Sequence, residues 1–192
     1  MTHKTNLAFN IENALNAEVS GSTFISAEWI ARCARKLYDW HAVGGVNVSY
    51  PKSRLSAAFK ECVFKGLNGF KIEVADDDLK NGVVSLRVDG YLYREEGGVS
   101  IVLIRTVGLD EYLDHVRAFP LAWLFHASSV FHFIPDARSV ILIGIARESG
   151  RVRVFEVDKN ASIIKKVSEK IASLNEAVFN EIRPPCECGK CS

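Results

Sequence analysis

A hairpin pattern in the range Val84–Thr106 constrains the fold of this chain more than any other stretch of the sequence. Apolar residues alternate with polar ones before and after a polar turn that contains Gly97 and Gly98. Alternation bounded by a Gly-Gly pair predicts a β-hairpin. The range Ser100–Ile104 is apolar after its first residue, which predicts that the second strand is covered on both faces.

Two charged residues of this hairpin are candidates for chemistry. Asp89 lies on the first strand and is followed by Gly90, so we expect its carboxylate to sit in an uncrowded position. Arg105 closes the second strand and can hold a phosphate through two parallel hydrogen bonds. Glu95 and Glu96 fall in the turn and are interpreted as a solvated hairpin tip.

The layout resembles the core hairpin of RecB-like nucleases, the PD-(D/E)XK group. In that group an Asp on one strand and a Glu-x-Lys on the next hold a divalent metal ion. The resemblance implies that Asp89 corresponds to the family's Asp and would be the catalytic residue of an active enzyme. It places Leu103-Ile104-Arg105 at the Glu-x-Lys position.

These replacements decide how the resemblance is interpreted. Magnesium prefers oxygen ligands, and Leu103 supplies none. Metal-assisted hydrolysis also needs a group that orients or deprotonates water, and the guanidinium of Arg105 stays protonated. The residues therefore favour a phosphate or DNA contact over a working nuclease, and Mg²⁺ or Mn²⁺ would be a cofactor only if catalysis remains.

Composition sets the remaining limits. The chain has 192 residues, with 24 Lys and Arg against 23 Asp and Glu, so any basic surface must be local. We expect one domain, 1–192, in which 1–22 are mobile or lie across the surface, 23–183 form the RecB-like core and 184–192 form a Cys-rich tail. No secretory segment or membrane-spanning run is evident, which predicts a cytoplasmic protein.

The rest of the chain alternates predicted helices and strands. Ser26 is a predicted helix cap, and the three carboxylates of Asp76–Asp78 are predicted to form a solvated turn. The predicted helices are Ser26–Trp40, Leu55–Leu67, Asp110–Ser128 (with Pro120 as a kink or the true start) and Ala161–Ile182; the predicted further strands are Phe70–Val74, Ser139–Ala146 and Val152–Val157. This order predicts an α/β or α+β fold with a central mixed sheet flanked by helices, as in restriction endonucleases.

A second arginine joins the predicted nucleic-acid contact through the same resemblance. The segment that contains Arg117 and Trp123 is similar to the family's next motif, a helix with a Gln followed by an aromatic residue. Arg117 falls at the Gln position, which implies that Arg105 and Arg117 both face the former active-site cleft. The alternative, that Arg117 is simply exposed, weighs equally.

The C-terminus carries three cysteines in six residues, Cys186, Cys188 and Cys191, after two prolines. Thiolates at this density can surround one metal centre, which needs a fourth ligand. Cys33 resembles the lone N-terminal cysteine of RecB-like nucleases that carry an iron–sulfur cluster, whereas Cys62 is predicted to be a buried free thiol.

The four cysteines, with Asp89 and the strand pair, resemble the CRISPR-associated iron–sulfur exonuclease family of spacer acquisition. This resemblance implies a cluster, 4Fe-4S in preference to 2Fe-2S, that closes the fold; zinc and the absence of any metal are the alternatives.

Three functions follow from these observations. The first is a DNA-binding protein of CRISPR adaptation, antiviral defence or related DNA processing, with nuclease activity reduced or lost. The second is an active Mg²⁺- or Mn²⁺-dependent single-stranded DNA exonuclease, and the third is a metal-stapled interaction module. Single-stranded DNA and other adaptation proteins are the expected partners, and homo-oligomerisation is left open.

Overall fold

A computed structural model of the chain describes residues 24–27, 30–42, 60–67, 69–108, 112–113 and 119–189. The predictions for 1–22 and for the start of the second helix lie outside these residues. In chain order the elements are β1 (Ile25–Ser26), α1 (Ala34–Ala42), α2 (residues 60–66), β2 (Ile72–Asn81), β3 (Val84–Tyr93), β4 (Val99–Val107), α3 (Leu121–Phe133), β5 (Val140–Ala146), β6 (Val152–Val157) and α4 (Ala161–Phe179).

The strands form one mixed sheet in the order β1-β3-β4-β5-β6, with β2 paired to β3. The β3–β4 hairpin is antiparallel, as predicted. Strands β4 and β5 run parallel and are joined through α3, which is the crossover that parallel neighbours require. Strand β6 returns antiparallel to β5. The predicted central mixed sheet with flanking helices is therefore confirmed.

Both faces of the sheet are covered near β4. Ile101 and Leu103 belong to the larger core, which lies between the sheet and helices α1, α3 and α4. Val102 and Ile104 belong to a smaller core on the opposite face, where Phe64 of α2 packs. None of these four strand residues is more than 1% exposed, which confirms the expectation of a strand buried on both faces.

Two N-terminal predictions are wrong because backbone pairing in the sheet overrides local signals. Ser26 does not cap a helix; it pairs with Ser85 in β1, and the helix begins at Ala34. Asp76–Asp78 is not a turn but part of β2, where a bulge lies between Val74 and Asp77 and Asp77 pairs with Val88. The bulge accommodates a carboxylate-rich segment that local turn chemistry alone assigned to a loop.

The later helices differ from prediction mainly at their ends. Helix α3 begins at Leu121, directly after Pro120, whose missing N–H donor is tolerated at a helix start. It runs to Phe133 rather than ending at Ser128. Helix α4 is capped by the Asn160 side chain, which accepts from the Ile163 N–H, and it ends at Phe179 rather than Ile182.

Within the described residues, no helix is both long and apolar enough to cross a membrane.

Candidate functional site: a charged group at Asp89 and a cysteine centre

Asp89 lies where the sheet opens between β3 and β4. One edge of β3 pairs with β1 at its start and with β4 only from Gly90 onward, where Gly90 faces Val102. Beyond that pair, the Ile104 N–H donates to Asp89 Oδ2 at 2.6 Å. The Asp89 carboxylate therefore accepts a hydrogen bond that a backbone carbonyl of β3 would accept if the two strands stayed paired. Its side chain is only 2% exposed.

Gly90 leaves room for helix α2, which covers the opening between β3 and β4. A Cβ at Gly90 would lie 2.9 Å from the Glu73 carbonyl oxygen and 3.0 Å from the Phe64 ring. The missing side chain thus lets α2 approach the sheet, and α2 brings Lys60 to Asp89. The expectation of an uncrowded carboxylate is wrong, because the space beside Gly90 is filled by the neighbouring helix.

Two cations converge on the Asp89 carboxylate. Lys60 Nζ contacts Oδ1 directly, and Arg105 Nη1 lies 3.9 Å from Oδ2. Arg105 Nη1 also donates to its neighbouring carbonyl, Ile104 O, at 2.9 Å. The side chains of Lys60 and Arg105 remain 23% and 18% exposed, so both cations can be reached from solvent.

His126 of α3 holds the far side of the Arg105 guanidinium. Arg105 Nη2 lies 2.9 Å from His126 Nε2 and 3.1 Å from Nδ1. Burial, and secondarily the charge of Arg105, lower the pKa of His126 well below its usual value. The imidazole is therefore neutral near pH 7 and can accept a hydrogen bond from the guanidinium. This contact orients Arg105 without adding a second positive charge beside it.

This donor set does not suit a divalent metal. Both Asp89 oxygens are engaged, by Ile104 N–H and Lys60, and Leu103 lies fully buried in the apolar core. Within the described residues, Asp89 belongs to no group of three ligands able to surround an ion. Lys60 and Arg105 are the cations of this group, and side chains of these types can bind an anion.

The second candidate site is a group of cysteines. The Sγ atoms of Cys33, Cys186 and Cys188 lie within 4.8 Å of one another, and Cys186 and Cys188 are 3.6 Å apart. Cys33 directly precedes α1, while the other two follow α4. The structure places Cys33 beside the two C-terminal cysteines that it describes, and thiolates in this arrangement could hold a thiophilic metal.

Two contacts between distant parts of the chain bring this centre together. Arg183 donates to both carboxylate oxygens of Asp39 on α1, at 2.6 and 2.5 Å. These hydrogen bonds hold the pKa of Asp39 below its usual value. Lys170 of α4 donates to the Arg32 carbonyl, next to Cys33. We call the Arg183–Asp39 pair the clamp, because it holds the C-terminal tail beside α1.

The remaining predicted site residues divide into those the structure describes and those it does not. Cys191 and Arg117 lie outside the described residues. Cys62 is exposed, so the prediction of a buried thiol is wrong. Phe64 faces the sheet, and a residue two positions earlier on a helix points to the opposite side.

Sequence analysis gave no role to Lys60 or to His126. The available signal for Lys60 was its place in the predicted helix Leu55–Leu67, where the resembled family often carries a His. His126 stands in an apolar helix and looks like any core histidine, so local sequence offered no such signal.

Solved exonuclease structures share this fold. The alkaline exonuclease LHK-Exo of Laribacter hongkongensis aligns with a TM-score of 0.64 and 6% identity, covering 85% of this chain and 91% of its own. It has also been solved in complex with dAMP. A phage-related exonuclease of Haemophilus somnus 129PT aligns with a TM-score of 0.55 and 11% identity, covering 78% and 80% of the two chains.

The protein SSO0001 aligns over more of the chain, 97% of this one and 93% of its own, with a TM-score of 0.54 and 19% identity. No family model and no curated protein matches this sequence. Identities this low establish the fold alone. The chain has the mixed α/β architecture of these exonucleases, which agrees at the level of fold with the resemblance to the nuclease superfamily.

Proposed function

We propose that this chain is a DNA-binding protein with an exonuclease fold whose nuclease activity is reduced or lost. The observation that carries the proposal is the engaged carboxylate: Asp89 accepts from Ile104 N–H and contacts Lys60, with Arg105 beside it. A nuclease needs this carboxylate for its metal ion. Here internal cations occupy its surroundings, and Leu103 offers no second carboxylate.

The charge of this group supports a phosphate contact. One carboxylate, Asp89, faces two cations, Lys60 and Arg105, while His126 is neutral. The described side chains thus carry one net positive charge, which matches one phosphodiester. The terminal nitrogens of Arg105 are oriented by internal contacts, Nη1 with Ile104 O and Nη2 with His126. A pre-oriented guanidinium binds phosphate with less loss of side-chain freedom.

The Cys33–Cys186–Cys188 group is proposed to be a structural metal centre that, with Cys191, joins the tail to α1. The resemblance favours an iron–sulfur cluster. One observation favours a single zinc ion: the Cys186–Cys188 separation of 3.6 Å is close to the edge of about 3.8 Å that a tetrahedron with 2.3 Å Zn–S bonds requires. In either case the metal would contribute folding energy rather than chemistry on DNA.

Metal analysis of protein purified without oxygen separates these alternatives. Iron and sulfide in equal amounts, lost in Cys33→Ser and kept in Cys62→Ser, would support the cluster. Zinc alone at one ion per chain would support the mononuclear site. Folded protein without either metal contradicts the proposed centre.

The finer proposal is a role in CRISPR adaptation or related DNA processing, with single-stranded DNA as ligand. It rests on the sequence resemblance, and the exonuclease fold of the solved neighbours supports the DNA-processing part. The residues proposed to touch DNA are Arg105, Lys60 and, by resemblance, Arg117.

A binding and cleavage assay tests the proposal. We expect end-labelled single-stranded DNA to bind and to remain intact with Mn²⁺ at high protein concentration. Arg105→Ala should weaken binding and reduce its salt dependence, because one phosphate contact is lost. Arg94→Ala, which removes an arginine paired with Glu156, is the matched control. Cleavage that Asp89→Ala abolishes would instead establish an active nuclease, and absence of binding would leave the interaction module.

A further inference from the structure

Three residues lie in register across strands β4, β5 and β6. Arg105 pairs with Gly144, and Gly144 pairs with Arg153. Side chains of paired residues point to the same face of a sheet, so Arg105 and Arg153 flank the glycine on the face that α3 covers. With strands about 4.8 Å apart, the two arginine Cα atoms are separated by about 10 Å.

Trp123 fills the gap between these arginines. A Cβ at Gly144 would lie 2.8 Å from Trp123 Cη2, so the edge of the indole reaches the backbone only because residue 144 has no side chain. Trp123 also lies one helical turn before His126, the residue that contacts Arg105. The indole therefore continues the row that begins at Arg105.

Two further aromatic rings pack against Trp123 beside this row, and one of them contacts Arg153. The Trp123 and Phe155 centroids are 6.0 Å apart, edge to face, and Phe119 packs edge to face against both. The Arg153 guanidinium lies over the Phe155 ring at 5.5 Å. These rings and Arg153 are half-buried, so each keeps an accessible part.

The cations at this end of the sheet include Arg105, Arg147 and Arg153. Among the described residues, no acidic side chain forms a salt bridge with Arg153 or with Arg147, which follows β5 directly. The buried Nε of Arg147 also has no hydrogen-bond partner there. Arg105 Nη1 lies 3.9 Å from Asp89 Oδ2, and Lys60 contacts the same carboxylate.

We propose that Arg105, Trp123, Phe155 and Arg153 form a stacking strip for the unpaired bases of one DNA strand, an inference that rests on the proposed DNA binding. The two arginines contact successive phosphates, and Trp123, which lies between them, receives a base, with Phe155 packed beside it. Alternating guanidinium groups and aromatic rings suit single strands, because every base has a π face whereas bases in a duplex are already stacked. The site lies at the carboxyl ends of β4 and β5, where open α/β sheets bind ligands.

Oligothymidylate and a hairpin duplex of equal length, each labelled at one end, test the strip by fluorescence anisotropy over a salt series. Trp123→Leu should weaken oligothymidylate binding about five- to a hundredfold without changing the salt slope, since stacking involves no counterion release. Arg153→Gln should lower the slope of log affinity against log salt by about 0.7, the value for one phosphate contact on a single strand. Arg94→Gln is the control and should change neither quantity.

A second readout does not depend on Trp123→Leu folding correctly. In a Trp29→Phe, Trp40→Phe background, Trp123 is the remaining tryptophan, and we expect its emission to be quenched as oligothymidylate saturates the protein. If oligothymidylate binds without quenching Trp123, and if the salt slope of Arg153→Gln equals that of Arg94→Gln, the stacking strip is overturned. The proposed phosphate contact at Arg105 would remain. Failure of the wild-type chain to bind either DNA overturns the proposed function and the strip together.

Discussion

The two ends of the β4–β5 strand pair both carry arginines, but the ends differ in how those charges are matched. At the amino end, Arg94 pairs with Glu156 at 2.5 Å and Arg138 with Glu96 at 2.8 Å. Ser100 and Ser139 share a buried hydrogen bond beneath them. We call this the paired end.

At the carboxyl end, Arg105 shares one carboxylate with Lys60, and Arg147 and Arg153 have none among the described residues. We call this the open end. Salt bridges at the paired end close a surface at which the hairpin and β6 meet. The described cations named at the open end outnumber the carboxylates paired with them, which is the pattern expected where an anionic ligand completes the charge balance.

The largest expected effect is on the carboxylate at the open end. Asp89→Ala should lower the free energy of unfolding by about 2–4 kcal/mol, because it leaves Lys60, Arg105 and the Ile104 N–H without their shared partner. The control at the paired end, Glu96→Gln, should cost less than about 1 kcal/mol, since that pair is exposed. Urea denaturation measures both, and equal losses would remove the distinction between the two ends.

The next effect concerns the glycine at the centre of the open end. Gly144→Ala should destabilise the fold by about 1–3 kcal/mol, because the new methyl overlaps the Trp123 ring, which Phe119 and Phe155 hold in place. Gly66→Ala, on the open surface of α2, should be neutral or slightly stabilising. Thermal denaturation compares the two, and an unaffected Gly144→Ala protein would show that the ring moves freely.

A fall in pH should lower the free energy of unfolding through two histidines, His126 and His132. Burial lowers the pKa of His126 and of His132, so each binds its proton more readily in the unfolded chain. Their contribution to stability is complete above about pH 6.5 and is lost as the pH falls below it. The loss is at most about 1.4 kcal/mol per pH unit for His126 and smaller for His132, which is partly exposed to solvent.

Urea denaturation from about pH 7.5 to about pH 5 measures this slope. His126→Gln should make it shallower, whereas Arg94→Gln at the paired end should leave it unchanged. A slope that His126→Gln does not alter would indicate that the imidazole is not buried beside Arg105.

The smallest expected effect is on the paired end itself. Arg94→Gln should lower the free energy of unfolding by no more than about 1 kcal/mol, because the Arg94–Glu156 pair is half exposed. Its affinity for single-stranded DNA should equal that of the wild type. A loss of DNA binding comparable to that of Arg105→Ala would place the DNA contact on both ends of the sheet.

The sequence by itself determined the elements whose signals are local. The Gly-Gly turn and its flanking alternation located β3 and β4, the apolar runs located β5 and β6, and helical periodicity located α4. The same local patterns singled out Asp89, Arg105 and the C-terminal cysteines. Each depends on residues within a few positions of one another, which is the range that periodicity and turn chemistry encode.

Tertiary structure decided what those residues meet. The Lys60–Asp89 contact joins positions 29 residues apart, and the Arg105–His126 contact joins positions 21 apart. The Arg183–Asp39 clamp that supports the cysteine centre spans 144 positions. Sheet pairing likewise turned Asp76–Asp78 into strand. Such contacts depend on the packing of whole helices and strands, and no pattern within a short segment carries information about the distant residue that packing will bring beside it.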